Sequence, residues 1–304
     1  MVKSGILNIG QLFIILPIII FSQACGQKAD QSQKRVQVKV SAQSQEPIRG
    51  NQNIINPDGL TTETRFLPPD GFERTTETEN SFATYLRRLP LKPDGSEVRY
   101  HNGQTKPNRD IYCAVVDLDI GKKDLHQCAD AVMRLYAEYL WNQKQYDKIH
   151  FNFTNGFRVD YTEWMKGKRI VVKGNKSYWA EANSPSNTYK DFWDYMEVVF
   201  TYAGTLSLSK ELKSVDIDDL KIGDIFIQGG SPGHAVIVID LVSGPSTKEK
   251  LFLLAQSYMP AQEIQILTNP TNAKFSPWYS TSFGEILKTP EWTFKRGDLK
   301  RFGE

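Results

Sequence analysis

The sequence predicts an α+β protein whose helices come first and whose C-terminal part is an antiparallel sheet. Two stretches, residues 125–143 and 187–204 (NTYKDFWDYMEVVFTYAG), space their apolar residues three and four apart, as amphipathic helices do. Four short runs follow in succession, DIFIQ, HAVIVIDLV, KLFLLAQSY and EIQIL, separated by Gly, Pro, Ser and Asp turns. Strands that cluster after helices, instead of alternating with them, favour an antiparallel C-terminal sheet packed on the two main helices.

The N-terminus reads as an address and not as fold. Residues 1–24 hold one early lysine, Lys3, and an apolar run from Leu12 to Phe21 broken only by Pro17, the anatomy of a secretory signal peptide. That run is too short for a comfortable membrane-spanning helix. Ser22-Gln23-Ala24-Cys25-Gly26 resembles the bacterial lipobox, with Ser22 where a leucine is usual. The resemblance implies that Cys25 is lipidated on sulfur, with acyl chains such as palmitate, and becomes the mature N-terminus. The protein would then be held on a membrane of a bacterial cell envelope. The alternative is simple cleavage near Ala24 with Cys25 as a passenger thiol. Residues 25–60, rich in Gln, Ser, Lys and Asn, read as a disordered tether, and residues 61–304 as one globular domain.

Within that domain, residues 80–91 predict a short helix ending before Pro90, and residues 97–106 a hairpin turning at Asn102-Gly103. Residues 110–120 read as a strand that places Cys113 in the core. Asp124 is the expected N-cap of the long helix, with Gln127 completing a capping box. KIHFNF and KRIVVK are further strands, and Gly204 stops the second helix.

Charge excludes one class of partner. Lysine and arginine number 37 against 35 acidic residues, a net charge of +2, so no global field points to nucleic acid. No phosphate loop or dinucleotide fingerprint occurs, and His101, His126 and His150 lack metal-ligand spacing. Asp117, Asp119 and Gly121 read as strand and turn residues before they read as a calcium loop, and Arg134 with Glu138 as a structural i, i+4 pair. No cofactor and no metal is expected. Pairing of Cys113 with Cys128 stays open.

One stretch carries chemistry. DLKIGDIFIQGGSPGHAVIVIDLV followed by KLFLLAQSY resembles the second half of the NlpC-type cell-wall peptidases, a branch of the papain-like fold. In that family a turn opens one strand, a histidine starts the next, and a third strand supplies a residue that orients the imidazole. Gly223-Asp224, His234 and Gln256 occupy those places in that order. The family's nucleophile is a cysteine at a helix N-terminus, where the dipole favours the thiolate. Cys128, in DLHQCADAVMRLYAEYL, meets that description. The implied activity is a thiol hydrolase or amidase acting on peptide or peptidoglycan, with Cys128 as nucleophile, His234 as base, Gln256 as orienter, and Gln127 or helix amides as oxyanion donors.

Two other readings stay open. DFWDYMEVVFTYAGTLSL also resembles the family's nucleophile helix, and there Phe192 stands where the cysteine belongs. The domain would then be a catalytically inactive binding or scaffolding lipoprotein. Alternatively His234 caps its strand, and the glycines around it only shape a tight hairpin. QCADAVMRL, FTYAGTLSL, PGHAVIV and AQSYMPAQE, with SPWY and TPEW, further resemble a family of bacterial lipoproteins defined only as a domain of unknown function.

Overall fold

The run HAVIVIDLVS forms a ten-residue strand, His234–Ser243, in which every residue before Ser243 is buried. A strand covered on both faces has no reason to alternate apolar with polar, which is why this one reads as a continuous β-branched run. In the computed structural model, which describes residues 54–245 and 249–303, it lies at the centre of a nine-stranded sheet. The order across the sheet is Tyr112–Val115, Gln265–Leu267, Lys250–Gln256, His234–Ser243, Ile225–Gln228, Leu299–Arg301 and Lys213–Ser214. All neighbours along this path are antiparallel. Glu73–Arg74 and Tyr279–Ser280 add short pairings to the two central strands.

The expected α+β class with an antiparallel sheet is what the chain adopts, with two differences. The sheet is not purely C-terminal, because Tyr112–Val115 closes one edge against Gln265–Leu267. Nor do the two main helices share the sheet. The Cys128–Asn142 helix packs on His234–Ser243 and Lys250–Gln256, while the Tyr189–Tyr202 helix packs chiefly on it and on the short Tyr161–Met165 helix. The second helix turns Phe192, Tyr195 and Met196 toward Trp141, Tyr161 and Trp164, an aromatic layer that competes with the sheet for its apolar face.

The first helix is therefore enclosed on nearly all sides, and its polar stripe is buried with it. Arg134 pairs with Glu138 at 3.4 Å and stacks over Trp193, and Glu138 accepts a 2.6 Å hydrogen bond from the Tyr189 hydroxyl. Residues 97–106 turn as expected, with an Arg99–Thr105 bridge and Gly103 at φ +83°. The folded body begins earlier than composition suggested. Ile54 is buried, and Ile55 bridges Phe66, so two isoleucines help dock an otherwise polar segment that hydrogen bonds also tie to residues 64–67. The expected signal peptide, Cys25 and the remainder of the expected tether lie outside the described residues. Among the described residues no helix is long and apolar enough to cross a membrane.

The middle of the central strand carries one charge, Asp240, with no solvent exposure. Arg87 Nε donates to its Oδ1 at 2.6 Å, Arg74 Nε to its Oδ2 at 2.9 Å, and the Leu241 amide to its Oδ1 at 2.8 Å. Arg87 also donates to the carbonyls of Thr75 and Leu241, so one carboxylate ties residues 74–87 to the sheet. Breaking such a cluster leaves a buried cation unpaired. Asp240→Ala should cost about 3–5 kcal/mol of stability, read as a lowered urea midpoint. A midpoint within error of the parent would show that the clamp is not what holds this segment.

Candidate functional site

His234 is delivered by a loop that only small residues can form. A Cβ at Gly233 would lie 2.4 Å from Thr205 Oγ1 and 2.7 Å from the Gln228 carbonyl oxygen, and one at Gly229 would lie 2.1 Å from Ser209 Oγ. The loop 229–233 therefore presses directly on the Thr205–Glu211 helix, and Thr205 Oγ1 donates to the Gly230 carbonyl at 3.2 Å. Those glycines set where the strand starts.

Cys128 is delivered by the helix, which begins later than the sequence suggests. The N-cap is Gln127 and not Asp124, so Cys128 is the first helical residue. The Gln127 amide donates to Asp130 Oδ2 at 3.0 Å, closing the turn. Asp124 is used instead as a strut. Its Oδ1 accepts from the Ala261 amide at 2.7 Å and from Gln127 Nε2 at 3.3 Å. Ser257 Oγ lies 2.9 Å from the His126 carbonyl and 2.7 Å from that of Gln262. The loop that leaves the Lys250–Gln256 strand thus pins the helix start beside the start of the His234 strand.

The thiol and the start of the His234 strand come to the same corner. Backbone N–H groups of Ala129, Ala235 and Cys128 itself all act on the Cys128 sulfur, and Ala235 is the residue after His234. Tyr258 neighbours both. Its ring is 4.8 Å from the His234 ring, and burial first, then Glu291 and Cys128, raise its hydroxyl pKa. Phe192 is elsewhere, fully buried against the rings of Trp141, Tyr161 and Tyr189. Cys113 and Cys128 are separate thiols, and Cys113 Sγ faces the Ile266 carbonyl at 3.5 Å. Gly223-Asp224 is a structural turn. Gly223 has φ +95°, and buried Asp224 accepts from Arg301 Nε at 2.5 Å, tying in the Leu299–Arg301 strand.

The imidazole is held through one nitrogen. His234 Nε2 lies 2.8 Å from Gln256 Oε1. The other end of that amide, Nε2, donates to Glu291 Oε2 at 2.6 Å, and Lys106 Nζ donates to the same oxygen at 2.7 Å. Trp292 and Phe294 close over the ring at 5.4 and 6.0 Å. Among the described residues Nδ1 has no hydrogen-bond partner. Sequence reasoning singled out His234 and Gln256 but missed Glu291 and Lys106. TPEW stood out for its tryptophan, and Lys106 only as the end of a hairpin.

Burial governs the charge states. It pushes the Cys128 thiol up to about 11, helped by the nearby Asp130 and opposed by the three amides. It lowers the His234 imidazole to about 4, with the Gln256 hydrogen bond opposing and Lys106 assisting. Both groups rest neutral at pH 7. His126, fully buried at the helix start with neither ring nitrogen hydrogen-bonded among the described residues, falls to about 3 through burial and the nearby Arg134, and burial raises Asp130 well above the usual carboxylate range.

Beside the thiol lies a cavity of about 390 Å³. Asp124, Gln127, Cys128 and Asp130 line its polar wall, and Phe200, Leu206 and Met259 are part of its apolar one. Leu206 and Met259 are also partly open to solvent. No lysine, arginine or histidine is among the lining residues.

Residues 62–301 match the model of a family described as Domain of unknown function (4846). No curated protein and no solved structure matches the chain.

A neutral resting pair has a measurable signature. Alkylation of Cys128 by iodoacetamide should climb with pH toward a midpoint near 11, and the His234 ring protons should titrate near pH 4, well below the ordinary 6.5. A thiol midpoint near 7 with an imidazole midpoint above it would mean a preformed ion pair.

Proposed function

Because the chain belongs to this family of unknown function, whose members are defined by sequence and not by chemistry, we propose its activity from the site alone: a papain-like, NlpC-type thiol hydrolase or amidase acting on peptide or cell-wall material. The observation that carries this reading is the meeting of Cys128, as first residue of a fifteen-residue helix, with the start of the His234 strand, whose imidazole is oriented by Gln256. Nε2 carries the proton toward Gln256 Oε1, which leaves Nδ1 as a bare lone pair, the form a general base requires.

The chemistry follows from neutral partners. As the Cys128 sulfur attacks a substrate carbonyl, Nδ1 of His234 takes the thiol proton. The carbonyl oxygen becomes an oxyanion beside the Cys128 and Ala129 amides, which turn from the sulfur to the oxygen as the bond forms, with the dipole of the helix behind them. The imidazolium returns its proton to the departing amine, and water later releases the acyl group by the same route in reverse. The cavity offers two carboxylates and no basic side chain, which suits a neutral or ammonium-bearing substrate better than an anionic one. The lipobox resemblance supports anchoring of this enzyme to the bacterial envelope through acylated Cys25.

A second reading, a non-catalytic envelope lipoprotein holding a ligand in the same cavity, is favoured by one observation. The thiol rests neutral, and among the described residues no hydrogen bond joins it to the His234 ring.

Three experiments test these proposals. Hydrolysis of peptidoglycan fragments should vanish in Cys128→Ala and fall about 10²–10⁴-fold in His234→Ala, the usual worth of a general base. Its rate should stay flat from about pH 5 to about pH 10, between the imidazole near 4 and the thiol near 11. Iodoacetamide labelling that ignores the loss of His234 would favour the binding reading. For the anchor, Cys25→Ala should move the protein from the membrane to the soluble fraction and abolish incorporation of an alkyne-tagged palmitate; an unchanged distribution would mean simple cleavage.

A further inference from the structure

We infer that Glu291, held by Lys106, is a positioning residue that selects the tautomer of His234 by fixing which end of the Gln256 amide faces the ring. This rests on the hydrolase reading for its catalytic meaning, but not for its geometry.

A glutamine amide is ambiguous. It has an acceptor at one end and a donor at the other, and turning it over exchanges them at no cost in shape. If Oε1 faces the imidazole, it accepts from Nε2–H and Nδ1 is left bare. If the NH2 group faces the imidazole, it must meet a lone pair on Nε2, so the proton moves to Nδ1 and the base is lost on the side away from Gln256. The choice is made from behind. Glu291 Oε2 takes the Gln256 NH2 at 2.6 Å, and a carboxylate has nothing to donate in return. The amide is thereby locked with Oε1 toward His234, at 2.8 Å from Nε2.

Lys106 holds the lock in place. Its ammonium donates to the same carboxylate oxygen at 2.7 Å, and its side chain is only 5% exposed. It also lies 5.6 Å from the ring centre of Tyr258, which packs on His234. The cation has a second effect at longer range, since it disfavours protonation of the imidazole and so keeps the base free. Trp292, next in sequence to Glu291, donates from its indole nitrogen to Gln228 Oε1 at 3.0 Å, and Gln228 is the residue paired with His234 across the sheet. The short turn 289–292 is thus registered to the strand start from both sides, which gives a carboxylate on a loop the precision that the amide contact needs.

The test reads the tautomer directly, in protein labelled with nitrogen-15 at histidine and with the His234 signals assigned through His234→Gln. Wild-type protein at pH 7 should show a single tautomer with the proton on Nε2; a proton on Nδ1 overturns the inference without any variant. Glu291→Leu, which removes the acceptor, should give a mixture of tautomers and slow iodoacetamide alkylation of Cys128 at pH 7 about ten- to a hundredfold, the scale on which orienting partners of a ring nitrogen act. The double variant Lys106→Met with Glu291→Gln removes the charge pair and gives position 291 a donor as well as an acceptor, so the Gln256 amide is again free to turn over. It should also give a mixture of tautomers, with alkylation as slow as in Glu291→Leu to within about threefold. A purely structural role predicts equal tautomer populations in all three proteins, and that result would also overturn the inference. If the tautomer responds while alkylation never depends on His234, the orienting role stands and the hydrolase reading falls.

Discussion

The His234–Ser243 strand runs through the middle of the sheet with no residue before Ser243 open to solvent, so any polar side chain on it must find its partners inside the protein. It carries two with strong demands, His234 at its first position and Asp240 at its seventh, and each has drawn a buried network around itself. Asp240 is met by two arginines from the N-terminal part of the domain. His234 is met by the Gln256 amide, which is backed in turn by a carboxylate and an ammonium from two further segments. These networks determine which surrounding pieces dock on the strand and at what height. The same physical rule, that a buried polar group is costly unless satisfied, shapes both the stable end of the strand and its candidate functional end.

The two ends differ in what they leave undone. At Asp240 both carboxylate oxygens accept hydrogen bonds, as befits a structural clamp. At His234 only one ring nitrogen is committed, and a thiol, a cavity and the first turn of a helix meet close by. The thiol helix is held at this corner by contacts with the loop after the Lys250–Gln256 strand. That loop also brings Tyr258 onto the imidazole, so one connection fixes the relative height of helix and strand.

Much of this was legible from the order of residues. The apolar periods of 125–143 and 187–204 mark both main helices, and the β-branched runs mark the central strands in their antiparallel order. Gln256 was legible as a partner of His234 because a short strand pair brings them side by side. Other features depend on contacts that no local pattern encodes. Asp124 has the chemistry of a cap, but it spends its oxygen on the distant Ala261 amide and leaves the cap to Gln127. Polar composition hid the docking of Ile54 and Ile55. Phe192 fits a nucleophile-helix motif by spacing, yet that helix is drawn into an aromatic layer instead of toward the sheet. Lys106 and Glu291 meet only because a hairpin and a late turn fold to the same end of the sheet, a juxtaposition with no signature in either segment.

The placement of that late turn sets the order in which the molecule can be assembled during synthesis. A ribosome releases Cys128, His234 and Gln256 well before Glu291, and the Leu299–Arg301 strand that flanks Ile225–Gln228 emerges later still. Until those final residues arrive, one side of the sheet is an unsealed edge and the amide behind the imidazole is free to turn over. The network behind His234 is therefore completed late, and an unfinished chain carries the Cys128 thiol and the His234 imidazole without the arrangement that orients the ring.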